Sequence, residues 1–325
     1  MPGTINDPSN RTLRQELLAE GMAEMCEELL KRSVPLHLRD EDPGMGRMYP
    51  TSCQTRPLAN GNLQLDFAAR GFAWTNVTKR IGFSASATVE YETDFQLDGS
   101  TMYVYFRQKA TAANRLDILM TEQTAQNPLG GLLPGVVNPQ QLIAPLATKV
   151  FQEELARGFT VVRDEDGYAT FALGVLPPGQ RPPAPFDRED GGREVLVNER
   201  LEVHQGQRDY VGPFLVEYED MALFITAGLE GSTAVDILVV TEAVGGPWVE
   251  SAITKAGETA ATGTPVHEEP LASGPLLRRA VRVPPGRVYV VLDNTASAGQ
   301  TTPVGAAGDD RAALVTLGVE IDDAP

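Results

Sequence analysis

Leu13, Leu17, Leu18, Met22, Met25, Leu29 and Leu30 recur at helical intervals, while Glu16, Glu20, Glu24, Glu27 and Glu28 mostly take the opposite side. One apolar face with that period predicts a helix over residues 12–32. Thr12 and Gln15 have the spacing of a capping box, and Lys31 and Arg32 close the last turn, where the helix dipole favours cations. After a loop rich in Pro, Gly and Asp at 40–50 the period becomes two. Leu63, Leu65 and Phe67 alternate with polar residues, as do Phe83, Ala85, Ala87, Val89 and Tyr91. Alternation of this kind predicts antiparallel sheet with one face against a core and one facing water. The turn signal "LDGS" at 97–100 leads into "TMYVYFRQ" and "RLDILMTE", which continue a meander.

The helical period returns after residue 137. Asn138 is a fitting N-cap, Pro139 suits the first helical position, Gln141 completes a capping box, and Gly158 marks the end. Leu142, Ile143, Leu146, Val150, Phe151 and Leu155 supply the buried stripe, and Pro145 predicts a kink or a later start. "FTVVRDEDGYATFALGVL" then reads as a hairpin about the Asp-Gly step at 166–167. Residues 177–194, "PPGQRPPAPFDREDGGRE", have no apolar period and are expected to form an extended linker.

Beyond the linker every element reads as strand, including "DMALFITAGL", "TAVDILVVTE" and the Trp248-bearing "PWVESAI". In "VPPGRVYVVLDN" a Pro-Gly turn starts a strand with Tyr289 and Val291 on one face and Val288, Val290 and Leu292 on the other. Apolar on both faces, it belongs inside a sheet. Asp293 and Asn294 can close it with Asx-type bonds to the backbone that follows. The last strand sets Ala313, Val315, Leu317, Val319 and Ile321 on one face. The expected fold is an α+β N-terminal domain over 1–176, built from an antiparallel sheet and two main helices. The 177–194 linker joins it to an all-β jelly-roll or β-sandwich domain over 195–325. The polar loops at 255–275 and 296–310 are expected to lie outside regular structure.

A net charge of −17, most of it after residue 195, disfavours nucleic acid and anionic membrane surfaces as partners. No apolar run is long enough to span a bilayer, and the first residues show no secretory signal. Arg exceeds Lys and Ala, Gly and Pro are plentiful, which suits a high-GC bacterial genome. The expected setting is extracytoplasmic, either periplasmic, envelope-associated or secreted, and the two cysteines, Cys26 on the first helix and Cys53 in a nearby segment, are expected to form one disulfide. The alternative is a pair of buried thiols.

"STAVDILVVTE", followed later by "VPPGRVYVVLDNTASAG" and a final alternating strand, resembles two β-sandwich modules of secreted proteins, the GOLD type and the pre-peptidase C-terminal type. The resemblance covers about residues 200–322 and implies a sandwich accessory to another domain. Such modules sometimes bind calcium, which would draw on Asp236 and Asp293; two carboxylates are too few to argue it. In the first half the order helix, meander, helix, hairpin resembles helix-plus-curved-sheet lipid carriers.

Candidate chemistry is sparse. His37, His204 and His267 have no metal-ligand spacing to one another, and no catalytic elbow, phosphate loop or cofactor fingerprint is present. No catalytic residue, metal or cofactor is expected. "NPLGGLLPGVVNP" at 127–139 places Leu129, Leu132, Leu133, Val136 and Val137 where Gly and Pro forbid regular structure, next to Leu142 and Ile143. These seven form the candidate ligand-binding set, either a lid over an apolar cargo or part of a continuous core. The expected function is a non-enzymatic bacterial binding or assembly protein with a protein partner or a hydrophobic small molecule. The alternatives are a hydrolase with an accessory sandwich, or a lipid carrier.

Overall fold

In the computed structural model the protein is mostly β-strand, arranged in antiparallel sheets. The structure describes residues 7–10, 26–27, 29–37, 39, 42–75, 79–122, 151–152, 155–163, 165, 169–181, 184–187, 192–231, 234–257, 262–303 and 312–325. A seven-stranded meander comes first, in the order β1 (Val34–Pro35), β2 (Gly46–Pro57), β3 (Leu63–Thr75), β4 (Lys79–Asp98), β5 (Thr101–Thr121), β6 (Phe159–Arg163) and β7 (Ala169–Leu173). The 20 residues of β4 would extend to roughly 65 Å at about 3.3 Å per residue. Opposite β4, the chain of β5 carries three extra residues, Lys109, Ala112 and Leu119, each at a shift of register.

The two faces of this sheet have different tasks. Leu63, Leu65, Ala87, Val89, Tyr91, Phe95 and Phe106 share one buried cluster with Cys26 and Cys53. Leu29, Phe151 and Leu155 pack on it. Residues 26–27, 29–30, 151–152 and 155–157 are helical, at the positions where the apolar periodicity sets two helices; the rest of both segments lies outside the described residues. A disulfide joins Cys26 to Cys53 in β2, with Cα atoms 5.2 Å apart. The expected hairpin forms as β6 paired with β7.

Two four-stranded sheets follow. One runs β13 (Leu277–Arg282), β10 (Met221–Glu230), β15 (Ala313–Asp323), β8 (Glu194–Val203). The other runs β12 (His267–Ala272), β11 (Ala234–Thr241), β14 (Gly286–Asn294), β9 (Gln207–Val216). They face each other across a shared core, to which β15 gives Ala313, Val315, Leu317, Val319 and Ile321 and β14 gives Val288, Val290 and Leu292. β14 lies between β11 and β9, as its two apolar faces require. Asp293 closes it by accepting a bond from the Thr295 N–H at 2.8 Å.

Two segments depart from the reading of the sequence. Residues around Trp248 are not a strand but a helix, α1 (Glu242–Thr254). Gly245, Gly246 and Pro247 hide it, because Pro removes an N–H and Gly weakens helix interiors. Trp248, Val249, Ala252 and Ile253 nevertheless repeat at helical spacing, and all four are buried. Gly245 has a positive use: a Cβ there would stand 2.6 Å from the Tyr289 ring. The second departure is β12, which forms inside the polar stretch 255–275 and buries little besides Leu271.

The outer face of β14, with Tyr289 and Val291, is covered by α1 and by the end of the meander. Phe72, Tyr210, Leu238, Val240, Trp248, Val249, Ala252 and Ile253 complete this third cluster. The segment before β8 is pinned as well. Gly179 N–H donates to Tyr103 Oη at 2.9 Å, Phe186 exchanges backbone bonds with the Asn198 amide, and the Arg193 guanidinium lies 3.8 Å from the Phe224 ring centre.

Candidate functional site

Alternation on β3 and β4 turns Gln64, Asp66, Ala68, Ser84, Ser86 and Thr88 away from the helix-covered face. Near one end of the meander this second face meets the sandwich. In the middle it is uncovered by the described residues and forms a trough of about 500 Å³. Register aligns Gln54 with Asp66 and Thr88 with Ala113 across it, and in the next row Ser52 with Ala68 and Ser86 with Arg115. Asp66 is fixed by the Thr88 hydroxyl at 2.6 Å and the Gln64 amide at 2.9 Å. Those two bonds hold its carboxyl below the ordinary range. In the row beyond, outside the trough, Arg70 of β3 makes two bonds to Glu250 of α1, at 2.7 and 3.1 Å. Hydroxyl, amide, carboxylate and guanidinium groups on rigid strands can exchange hydrogen bonds with a polar partner.

At the sandwich end the same face becomes a buried ionic junction. Arg47, fully buried, donates to both oxygens of Asp209 at 2.9 and 3.1 Å and to Glu199 at 2.5 Å. Burial opposes the Arg47 charge, but the two carboxylates outweigh it and raise its pKa above the ordinary range. Burial pushes the Glu199 carboxyl up against the pull of Arg47. Arg80 donates to Gln207 and to the Lys255 and Gly257 carbonyls at 3.0, 3.1 and 2.9 Å. Arg208 reaches Asp293 at 3.2 Å, and burial raises the Asp293 carboxyl despite that neighbour. Asp236, level with Asp293 across the sheet, accepts from the backbone and hydroxyl of Thr301 at 2.8 and 2.7 Å. The aspartates therefore serve protein groups, and no metal-ligating cluster occurs among the described residues.

Of the sequence-derived site residues, Cys26 and Cys53 are brought together. Leu129, Leu132, Leu133, Val136, Val137, Leu142 and Ile143 lie outside the described residues. The junction was not apparent in the sequence. Its one signal is Asp209, a charge directly before the apolar "YVGPF"; that Arg47 lies opposite Phe72 is visible only once the strands are aligned.

No family model matches the chain, and no curated protein matches it. Among solved structures it is similar to one titled as the structure of the infectious bursal disease virus Gx strain. The identity is 12%, the match covers 89% of this chain and 70% of that chain, and the TM-score is 0.21. A likeness at that TM-score carries no argument about fold or function.

Proposed function

We propose that the protein is a non-enzymatic binding or assembly component of a bacterial cell envelope or its exterior, and that the trough is its contact surface for a polar segment of a partner protein. The observation that carries this reading is the open, hydrogen-bonding face presented by β2 to β5 between Ser52 and Arg115. Small-molecule sites are typically enclosed, whereas an open groove on fixed strands that sets hydroxyl, amide and carboxylate groups beside Phe67, Ala68, Ala87 and Ala113 suits a segment of another protein. The Cys26–Cys53 disulfide supports residence in an oxidising compartment. The same reading takes residues 1–176 as an α+β lobe and 195–325 as a jelly-roll-type sandwich, with 177–194 joining them.

The test is site-specific photo-crosslinking in the producing cell, with the photoreactive residue at Thr88 or, as a control, at exposed Tyr218. The expected result is a discrete protein adduct at Thr88, absent at Tyr218 and lost when Ser86→Trp fills the trough. Absence of an adduct at trough positions overturns the reading. So does turnover of ester, phosphoester or glycoside substrates by the purified protein, which is what the hydrolase alternative requires.

A further inference from the structure

Where the meander meets the sandwich, one cation stands against two anions. The Arg47 guanidinium of β2 faces Asp209 of β9 at 2.9 Å and Glu199 of β8 at 2.5 Å. Arg47 and Asp209 are buried, and the Glu199 side chain is 11% exposed. Such a cluster carries a net negative charge in a place that solvates it poorly, which favours the uptake of one proton. We infer that Glu199 is a proton-binding site of this junction, and that a proton held there fastens the meander to the sandwich.

Geometry selects Glu199 over Asp209. Asp209 accepts two bonds from Arg47, at 2.9 and 3.1 Å, and a third from the Tyr210 N–H at 2.7 Å. All three are strongest to the ionised form. Among the described residues Glu199 accepts one bond, from Arg47 Nη2, and a protonated carboxyl keeps a carbonyl oxygen able to accept it. The exposed part of the side chain lets the proton arrive from water.

The other groups around Glu199 do not supply the missing cation. β2 also brings Tyr49, a neutral phenol that donates to the Tyr210 carbonyl at 2.7 Å. After β1 comes His37, whose Nδ1 donates to the Asp42 carbonyl at 2.8 Å; a charge on that ring opposes the proton only weakly. β15 sets Leu317 opposite Glu199, and the neighbouring Arg200 of β8 is engaged with Glu230 at 3.1 Å. Burial is the largest influence on the Glu199 carboxyl and raises it; the pull of Arg47 does not cancel this, and Asp209 raises it further.

A folded-state value above the unfolded one means stability is complete below the ordinary 4.5 and is lost as pH rises through the raised value. Opening the junction returns Glu199 to water and releases its proton. The contact is therefore tightest in acid and loosens towards alkaline pH. Asp293 shifts in the same direction, but it lies beside Arg208 within the sandwich and does not act on Arg47.

The experiment uses the full chain. The Gly44 and Glu202 amides bond across the junction, to the Arg200 and Gly44 carbonyls, at 2.7 and 2.8 Å. Their hydrogen-exchange protection is measured from about pH 4 to 8, and infrared spectra follow the protonated-carboxyl band over the same interval. Protection is expected to fall as pH rises, by at most about tenfold per pH unit, the limit for one proton. Glu199→Gln, which copies the neutral side chain, diminishes the band and holds protection at its acid level throughout. His37→Gln leaves the step in place. Wild-type protection that is flat or rises with pH overturns the proposal, as does a step that survives Glu199→Gln or vanishes in His37→Gln. A Glu199→Gln chain that fails to fold also overturns it, because the junction would then not tolerate the neutral form.

Discussion

Arg47 and Asp209, 162 positions apart in sequence, meet through two parallel N–H···O bonds where neither is reached by water. Removing one partner strands a charge in a place that cannot solvate it. Asp209→Ala is expected to cost about 3–5 kcal/mol of unfolding free energy, measured by urea titration. Asp209→Asn, which keeps a carbonyl acceptor, should lose less. Equal losses for the two variants would mean that the charge itself contributes little.

Cleavage within 177–194 tests how far the two halves depend on one another. The sequence suggests independently folding units, whereas Phe72, Tyr210, Trp248 and Tyr289 share one cluster drawn from both halves. A protein cut once in this segment is expected to elute as a single complex in size-exclusion chromatography, and to separate only in denaturant. Two separate folded species in native buffer would show the shared cluster to be dispensable.

Gly82 of β4 lies directly beneath the end of α1. A Cβ there would stand 1.7 Å from the Ile253 carbonyl oxygen, a backbone atom that cannot turn aside. Gly82→Ala is expected to destabilise by about 3 kcal/mol, at the upper end for overpacking. A melting temperature within a degree of wild type would show that α1 can shift freely on the sheet.

Burial lifts the phenols of Tyr91 and Tyr289 from 10.0 to about 12, with Glu242 adding to the effect at Tyr289. A folded-state pKa above the unfolded one means stability is fully present below pH 10 and is lost as pH rises through about 12. Denaturation midpoints should therefore fall steadily across that interval. Tyr91→Phe should make the decline shallower, and an unchanged slope would remove Tyr91 from the account.

Legibility in the sequence followed how local each determinant is. β14 and β15 could be read directly, because a residue and its second neighbour share a face whatever lies across from them. The same holds for Phe83 to Tyr91. α1 was obscured because Gly245, Gly246 and Pro247 each argue against a helix, and Gly245 answers to Tyr289, which lies 44 positions further on. The trough and the junction depend on register between strands. Ser86 faces Arg115 and Asp66 faces Thr88 only once the meander is aligned, and Arg47 looks like an ordinary solvent-facing arginine until Asp209 and Glu199 arrive from the other half. Cysteine count permitted the Cys26–Cys53 bond, because with two cysteines a single pairing exists.

The irregular course of β5 bears on how the protein survives at high concentration. Past Phe106, no described strand pairs with its outer side, which leaves a long row of peptide groups unpaired by strands among the described residues. Fibril growth needs such a row to be flat and evenly spaced. The extra residues at Lys109, Ala112 and Leu119 break the spacing in three places, and the Lys109 ammonium, held by Glu92 at 2.7 Å, puts a charge beside one of them. A second molecule approaching edge-on would find the longest stretch between those breaks to be the six residues Ala113–Ile118. The meander can thus be this long without becoming a template for its own polymerisation.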